Sequence, residues 1–438
     1  MITAAVCPRE DQLDRTNKNT SYVREENMRK VEMIDTLNKE NNFTWVAGRT
    51  TFLSSTCSEA QAYRTGEIPP CRADMRQSPE ANKARTEFLA SLESNRIERE
   101  YLPSTMEVFS TDAKDQGECN SCATFAVTAA LETCEQKVIN FPAFMTDPPR
   151  GLSTQNLLDC AFGGPGLHGC DGGQSFRYLE WMKNGTLDKE RQYPYIDSGI
   201  RFEGMSNDYR VCYQSVTEPV AVVEEGYSSW DDHTERDLEN ILLDGNAIIT
   251  TMEAQEDFLF YKSGVYQSSQ CQEWSLGPGR EIQWKASSGL RPLRHTVVIM
   301  GFGEEQGKKY WKVKNSWGEN WGSSGFFKMI RNGSAHCGLG AYFSVALCKT
   351  CGQGDDCKAR GIGLPQPSNR PPPRLPVEGI GSGITSHLSS ALGGVGFATC
   401  PTCAGLSACP RLQACRREGK CCRVIGGAGN RLYCPSRC

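Results

Sequence analysis

Residues 115–125, Asp-Gln-Gly-Glu-Cys-Asn-Ser-Cys-Ala-Thr-Phe, end a polar, turn-prone segment and open a run rich in Ala, Leu and Glu. This composition predicts a helix over Ala123–Val138. A thiol at the start of a helix lies where backbone N–H groups and the helix dipole favour its thiolate form, so Cys122 is a candidate nucleophile. In a chain with 22 cysteines, however, Cys119 and Cys122 could equally be structural. The choice depends on whether a base, and a group that orients it, follow downstream.

Two downstream segments supply such groups. His295 opens the apolar run His-Thr-Val-Val-Ile-Met-Gly-Phe, which predicts a buried strand. Asn315 opens Asn-Ser-Trp-Gly-Glu-Asn-Trp-Gly, where a predicted strand gives way to a turn, and its amide oxygen can accept from one imidazole nitrogen. Gln116 offers an amide N–H₂ that can join the Cys122 backbone N–H in stabilising an oxyanion. Together these groups meet the requirements of acyl transfer to a thiol.

Composition indicates the compartment and excludes some classes of protein. The 22 cysteines are typical of an oxidising compartment, and N-glycosylation sequons begin at Asn19, Asn42, Asn184 and Asn332. The net charge of −4 gives no nucleic-acid signature, and no apolar run reaches transmembrane length. Residues 1–8 lack the basic start and apolar centre of a signal peptide, so a signal is expected to precede them or to have been lost with a first exon. We predict a secreted or lysosomal glycoprotein.

The chain divides into four segments by composition. Residues 1–100 are polar, with a helix predicted over Tyr22–Asn38 and a helix or tether over 79–100. Residues 101–348 pass from helix-rich to strand-rich, which predicts two subdomains with a cleft between them. Residues 349–399 are a Gly/Pro/Ser-rich linker, and residues 400–438 carry eight cysteines and a basic charge. The expected strands in the second segment are Val220–Glu224, Ala247–Thr251, His295–Phe302, Tyr310–Asn315 and Gly325–Ile330.

Several sequence blocks, in this order along the chain, resemble the papain family of cysteine peptidases. They are most similar to its cathepsin L-like branch. The resemblance implies an α+β fold with a helical left half and a β-barrel-like right half, preceded by an inhibitory propeptide over 1–100. It implies an endopeptidase that is made as a zymogen, acts on peptides or proteins and uses no metal or cofactor. Besides the segments above, the blocks are Leu152-Ser-Thr-Gln-Asn-Leu-Leu-Asp-Cys160, Gly169-Cys-Asp-Gly-Gly173, Tyr193-Pro-Tyr195 and Phe260-Tyr-Lys-Ser-Gly-Val-Tyr266.

The resemblance also implies a role for individual residues. Cys122 is the nucleophile, and His295 is the general base and then the general acid. Asn315 orients His295, and Gln116 is an oxyanion donor. The implied substrate-binding residues are Gly172, Gly173, Gln174, Ser175, Thr296 and Trp317, of which Trp317 also shields the Asn315–His295 hydrogen bond from water. The implied disulfides are Cys119–Cys170, Cys160–Cys212 and Cys271–Cys337, while Cys134, in mid-helix, is expected to be a buried free thiol.

Three positions depart from the family pattern. Asn120 stands where the family usually has Gly, Ala123 where it has Trp, and Arg294 where it has Asn or Asp. None of these changes removes an atom that the chemistry needs. They nevertheless leave an alternative open, in which the chain is a catalytically impaired papain-like protein that acts as a secreted binding or interaction protein.

The loop before His295 and the C-terminal module carry two further expectations. The separation of Cys122 from His295 exceeds the roughly 130–150 residues of the family signature. Part of the surplus lies in residues 272–293, either a loop over the cleft or a surface insertion. No adjacent histidine pair occurs in the sequence, so an endopeptidase is expected rather than a carboxydipeptidase.

The cysteines of the C-terminal module, residues 400–438, faintly resemble a four-disulfide core. The basic charge of this module either binds anionic glycans or cell surfaces or only keeps the module soluble.

Overall fold

A computed structural model describes residues 20–40, 44–53, 66, 79–94, 105–138, 151–183, 185–196, 212, 221–229, 233–271, 273–276, 294–351, 423–425 and 431–433. All of these except the last two ranges belong to one compact unit. Within the described part of the chain, no helix is long and apolar enough to cross a membrane. The predictions for the linker beyond residue 351, for the cysteines of residues 400–438 and for most of the loop 272–293 fall outside these ranges.

Six α-helices are described in the compact unit, and one of them carries the candidate nucleophile. α3 begins at Cys122 and is buried along almost its whole length. Short, small and apolar side chains dominate it, which allows sheet strands to approach closely on several sides. The helices are α1 (Thr20–Glu40), α2 (Pro79–Ser94), α3 (Cys122–Val138), α4 (Thr154–Cys160), α5 (Ser175–Trp181) and α6 (Glu235–Leu243).

The unit contains a nine-stranded sheet in the order β1-β5-β9-β8-β7-β4-β11-β3, with β2 paired to β7. All neighbours are antiparallel except β5 and β9. α3 packs against β7 and β11, so the helical half meets the sheet along this helix. The strands are β1 (Trp45–Ala47), β2 (Met106–Glu107), β3 (Ala221–Ser229), β4 (Ile248–Glu253), β5 (Tyr261–Tyr266), β6 (Glu273–Ser275), β7 (Arg294–Glu305), β8 (Lys308–Lys314), β9 (Phe326–Ile330), β10 (Ser334–His336), β11 (Phe343–Thr350), β12 (Arg423–Ile425) and β13 (Arg431–Tyr433).

The N-terminal segment adds a strand to this sheet. β1 is the edge strand and pairs with β5, where Gly264 has a φ of +85°. A Cβ at Gly264 would lie 2.7 Å from the Cα of Trp45, so the close approach of the two strands requires glycine. α1 supports β1 from the other side, because the Asn38 side chain exchanges two hydrogen bonds with the backbone of Ala47 at 2.8 and 2.9 Å.

Four disulfides are present among the described cysteines, including the three that the family resemblance implied: Cys119–Cys170, Cys160–Cys212 and Cys271–Cys337. The fourth corrects the expectation that Cys134 is a free thiol. Cys134 is buried, but it is joined to Cys348, with their Cα atoms 5.6 Å apart. The reason is the packing of α3 across β11, which brings together cysteines 214 residues apart in sequence.

Candidate active site

The Cys122 thiol lies at the first residue of α3 and is fully buried. The Cys119–Cys170 disulfide holds the preceding turn, and the Asn120 N–H donates to the Cys170 carbonyl at 3.2 Å. The Thr296 backbone N–H donates to the Cys122 Sγ at 3.3 Å. A helix N-terminus and a directed N–H group both favour negative charge on this sulfur.

The same contact places His295 beside the thiol, because Thr296 follows His295 in β7. The His295 ring is fully buried, and its Nε2 lies 2.6 Å from Asn315 Oδ1. Asn315 Oδ1 also accepts from the Ser316 backbone N–H at 2.8 Å, which fixes the amide with its oxygen toward the ring. A carbonyl oxygen only accepts, so Nε2 carries the hydrogen, and Nδ1 is the nitrogen that can exchange a proton.

A tryptophan covers the ring of His295. The Trp317 and His295 ring centroids are 4.9 Å apart with an interplanar angle of 34°. Trp317 is itself fully buried and meets Trp321 edge to face at 4.8 Å. This aromatic packing keeps water from the His295–Asn315 hydrogen bond and strengthens it.

Both polar atoms of the Gln116 side chain are hydrogen-bonded. Its Nε2 donates to the Cys119 carbonyl at 2.9 Å, and its Oε1 accepts from Ser316 Oγ at 2.6 Å. The backbone of Gln116 is fixed as well, by an N–H bond to the Ser316 carbonyl at 2.9 Å and by a bond from the Tyr195 hydroxyl at 2.8 Å. Since Nε2 has two hydrogens, this amide can donate to a second acceptor besides the Cys119 carbonyl.

Ser316 and Tyr195 are the residues that sequence reasoning missed. Ser316 contacts both amides of the site, since its N–H binds Asn315 and its hydroxyl binds Gln116. It therefore joins the group that orients His295 to the candidate oxyanion donor. Both residues stand inside blocks that carried the family resemblance, and that position was the only signal available for them.

The expected substrate-binding residues fall into two groups. Thr296 and Trp317 lie directly against Cys122 and His295, as described above. Gly173 binds Gly66, a residue that lies against the thiol: the Gly173 N–H donates to the Gly66 carbonyl at 2.9 Å. Gly172 precedes it with a φ of +93°, a conformation that side chains rarely adopt. Gln174 and Ser175 follow at the N-terminus of α5, where both are buried.

Residues of the N-terminal segment cover the site. A Cβ at Gly66 would lie 2.5 Å from the Cys122 Sγ and 2.6 Å from the Asn120 carbonyl oxygen, so only glycine fits there. Phe52 packs edge to face on Trp317, with centroids 5.0 Å apart. The segment thus lies against both the candidate nucleophile and the shield of the candidate base.

A buried charge network lies beside these groups. The carboxylate of Glu132 in α3 binds Lys114 Nζ at 3.0 Å and lies 3.8 Å from Lys314 Nζ, and the Thr111 hydroxyl donates to it. Burial by itself would raise the pKa of Glu132, but the two ammonium groups outweigh it and hold this pKa below its ordinary value. Burial lowers the pKa of Lys314 to about 8, although Glu132 opposes the shift. The network lines a cavity of about 20 Å³ that Asn315 also lines.

The departures from the family pattern lie close to the thiol. Ala123 is buried in the main hydrophobic core. Asn120 Oδ1 is buried and has no hydrogen-bond partner among the described residues. The side chain of Arg294 lies outside the described part of the structure.

One group of possible metal ligands occurs among the described residues: Cys271, His336 and Cys337. Because the two cysteines form a disulfide, they offer no thiolates to a metal ion. The His336 ring is engaged as well, since its Nε2 accepts from the Ser268 N–H at 3.0 Å. This cluster is a structural support of the β6–β10 ribbon rather than a metal centre.

Comparison with known sequences agrees with this geometry. The sequence profile of papain family cysteine proteases matches residues 103–347. The cathepsin L-like peptidase of Aedes aegypti is 34% identical over 242 residues, which are 54% of this chain and 60% of that protein. Pro-cathepsin H of Bos taurus is 34% identical over 55% of this chain and 61% of its own length. The chain therefore spans about three fifths of the length of these relatives.

Solved structures share the fold. Procathepsin L2 from the larval midgut of Tenebrio molitor superposes with a TM-score of 0.56 at 23% identity, over 76% of this chain and 95% of that one. The proform of the ragweed pollen cysteine protease Amb a 11 gives a TM-score of 0.54 at 23% identity, over 76% and 88%. Both neighbours are described as precursor forms.

Proposed function

Because the chain belongs to the papain family of cysteine proteases, we propose that it is a cathepsin L-like endopeptidase, made as a zymogen, whose nucleophile is Cys122. One observation carries the proposal: the Thr296 N–H lies 3.3 Å from the Cys122 sulfur, next to a His295 ring that Asn315 holds at 2.6 Å. A thiol, a base and an orienting amide are thereby gathered at one buried point. These are the groups that thiol-dependent acyl transfer requires.

The proposed reaction has two halves, which are the acylation of Cys122 and the hydrolysis of the resulting thioester. The Cys122 thiolate attacks the carbonyl carbon of the scissile peptide, and the C=O electron pair moves to oxygen. The Cys122 N–H and the second hydrogen of Gln116 Nε2 stabilise that oxyanion. As the tetrahedral intermediate collapses, the C–N bond breaks and His295 Nδ1 gives its proton to the leaving amine. His295 then takes a proton from water, which attacks the thioester and releases the acid and the Cys122 sulfur.

Residues 1–100 are proposed to act as the inhibitory propeptide. Gly66 occupies the space in front of the sulfur, and the Gly173 N–H that binds its carbonyl is a donor that a substrate backbone would otherwise use. Phe52 on Trp317 and β1 on β5 hold the segment in this position. A peptide substrate and this segment cannot occupy the site together.

Replacing Gly66 with Leu is expected to weaken the inhibition. The added side chain collides with Cys122 Sγ and with the Asn120 carbonyl, so the segment lifts from the thiol. Before any acid processing, a small thiol-directed inhibitor should label the variant zymogen roughly tenfold faster than the unmodified zymogen, as a clash of ~1–3 kcal/mol implies. The matched control is Val46→Leu in β1, because Val46 is 48% exposed. Equal labelling rates for Gly66→Leu and the control would refute the blocking role of this segment.

Ser316→Ala should lower kcat about tenfold and leave KM nearly unchanged. The variant keeps the backbone bonds of Ser316 but removes the hydroxyl that fixes Gln116 Oε1. The oxyanion donor then loses its orientation, and a hydrogen bond of this kind contributes ~1 kcal/mol or more. Ser323→Ala, at an exposed position, is the control. A raised KM at constant kcat would show instead that the hydroxyl supports substrate binding.

We propose a secreted or lysosomal location and four functional segments. Four disulfides among the described residues fit an oxidising compartment, and the sequon residue Asn332 is exposed and available for a glycan. The proposed segments are the propeptide over 1–100, the peptidase domain over 101–348, the linker over 349–399 and the basic module over 400–438. Mass spectrometry of the secreted protein, before and after removal of N-glycans, tests the glycosylation.

The activity itself is tested with purified, acid-processed protein and a fluorogenic peptide. Cleavage is expected in the unmodified protein and absent in Cys122→Ser. Such a result excludes the alternative of a non-catalytic binding protein. Correctly folded and processed protein that cleaves no peptide of a diverse library would overturn the proposal.

A further inference from the structure

Helix α2 buries one face against the body of the protein. Leu92 belongs to the main hydrophobic core, and Phe88 and Leu89 pack against it. Lys83 and Glu87, on the opposite face, are exposed. α2 is therefore a docked amphipathic helix and not a tether. Its partly or fully buried positions follow a helical spacing: Ala84, Arg85, Phe88, Leu89 and Leu92.

The surface that receives α2 is formed by β3 and α6. At its centre, the rings of Phe88 and Tyr227 stack with centroids 4.9 Å apart and an interplanar angle of 15°. Burial and the carboxylate of Glu225 raise the pKa of Tyr227, and Glu87 of α2 adds to the shift, which agrees with the close approach of the helix. The stacked aromatic pair and the buried Leu92 therefore bind α2 to the body of the protein.

This contact shares no residue with the one that covers the active site. The cleft contacts are made by Phe52 on Trp317 and by Gly66 on Cys122. α2 follows these residues in the chain and uses Tyr227 and its neighbours instead. α2 thus holds the N-terminal segment in addition to the cleft contacts and the β1–β5 pairing, and it is the last described element before β2.

We propose that α2 and the surface around Tyr227 form a second anchor, which keeps the inhibitory segment on the protease after the chain is cut between α2 and β2. The inference rests on the proposed function, in which residues 1–100 are inhibitory. Two linked contacts hold a segment better than either alone, because each keeps the other at a high local concentration. A cut between α2 and β2 removes neither.

Hydrogen exchange of the full chain tests the anchor without requiring catalysis. A recognition sequence for a site-specific protease is placed within residues 95–104 of the Cys122→Ser protein, and amide exchange over 79–94 is measured by mass spectrometry before and after cutting. A 16-residue helix is marginally stable on its own in water. Protection of these amides therefore reports docking of α2.

We expect protection over 79–94 to survive the cut in the parent chain. Phe88→Ala and Tyr227→Ala should each raise exchange there about tenfold or more, whereas Lys83→Ala should not. Alanine favours helix more than phenylalanine does, so lost protection in Phe88→Ala cannot come from helix propensity. Tyr227→Ala removes the other ring of the same stack and leaves the sequence of α2 unchanged. Unprotected exchange in the parent as soon as it is cut, or equal exchange in all three variants, would overturn the proposal. Because Cys122→Ser is inactive under the proposed function, these outcomes are separate from a failure of peptidase activity.

Discussion

His295→Ala is expected to lower kcat/KM for peptide hydrolysis by roughly 10⁴- to 10⁶-fold, the range of losses when one member of a catalytic triad is removed. The ring holds the proton that the leaving amine needs, and the N–H of the next residue, Thr296, contacts the Cys122 sulfur. The overall fold should persist, because the variant removes a ring from a site framed by Trp317 and by backbone bonds. The measurement is steady-state hydrolysis by the acid-processed protein, together with its thermal unfolding.

His233→Ala is the matched control for that prediction. His233 is also buried, but its Nε2 lies 2.6 Å from the Gly340 carbonyl and its ring packs on Phe343, away from the thiol. This variant should lose stability and keep kcat/KM per folded molecule. Comparable activity losses in the two variants would mean that His295 acts only through the fold.

Glu132→Ala is expected to lower the free energy of unfolding by about 3–5 kcal/mol. Glu132 compensates Lys114 and Lys314. Its removal leaves the buried Lys314 ammonium without a close counter-charge, whereas Lys114 keeps the carboxylate of Glu190 at 3.2 Å. The control is Glu225→Ala, which breaks the exposed pair with Lys183 and should cost about 1 kcal/mol or less. Denaturant unfolding of both variants in the Cys122→Ser background gives the comparison. A cost for Glu132→Ala no larger than that of the control would contradict the role of the network.

The same network predicts a pH dependence of stability. Because the folded pKa of Glu132 lies below its ordinary value of 4.5, the folded state binds fewer protons than the unfolded state in that range. Its contribution is therefore complete above about pH 4.5 and is lost as the pH falls through the folded pKa. The unmodified protein should lose more stability than Glu132→Ala on acidification below pH 4.5. Parallel stability curves for the two proteins would show that Glu132 is not linked to acid unfolding.

Local sequence signals correctly predicted the helix and the strand that carry Cys122 and His295. The helix that begins at Cys122 follows from composition and placement at its N-terminus, and the strand at His295 follows from an apolar run. The adjacency of Asn315 to His295 depends on pairing of β7 with β8, which short connections between successive strands favour. These features depend on residues that are close in sequence, for which helix and strand propensities and hydrophobic patterns are most informative.

Features that depend on contacts between distant segments were not predictable in this way. The Cys134–Cys348 disulfide requires knowing that α3 crosses β11, and helix position alone suggested a buried thiol. Gly66 has no motif around it, and its role follows only from its distance to Cys122. The sequence of the charged segment 79–100 left helix or tether open and gave no sign of a packing partner, so the stack of Phe88 on Tyr227 emerged only from the fold.

The central claim, that Cys122 is the reacting thiol, is tested most directly by activity-based labelling with peptide mapping. The acid-processed protein is treated with an epoxide that alkylates protease thiols, digested, and mapped by mass spectrometry. We predict a single modified peptide that contains Cys122, with labelling abolished in Cys122→Ser and strongly slowed in His295→Ala. Modification of a different cysteine, or no modification of folded and processed protein, would contradict the assignment of Cys122 as the nucleophile.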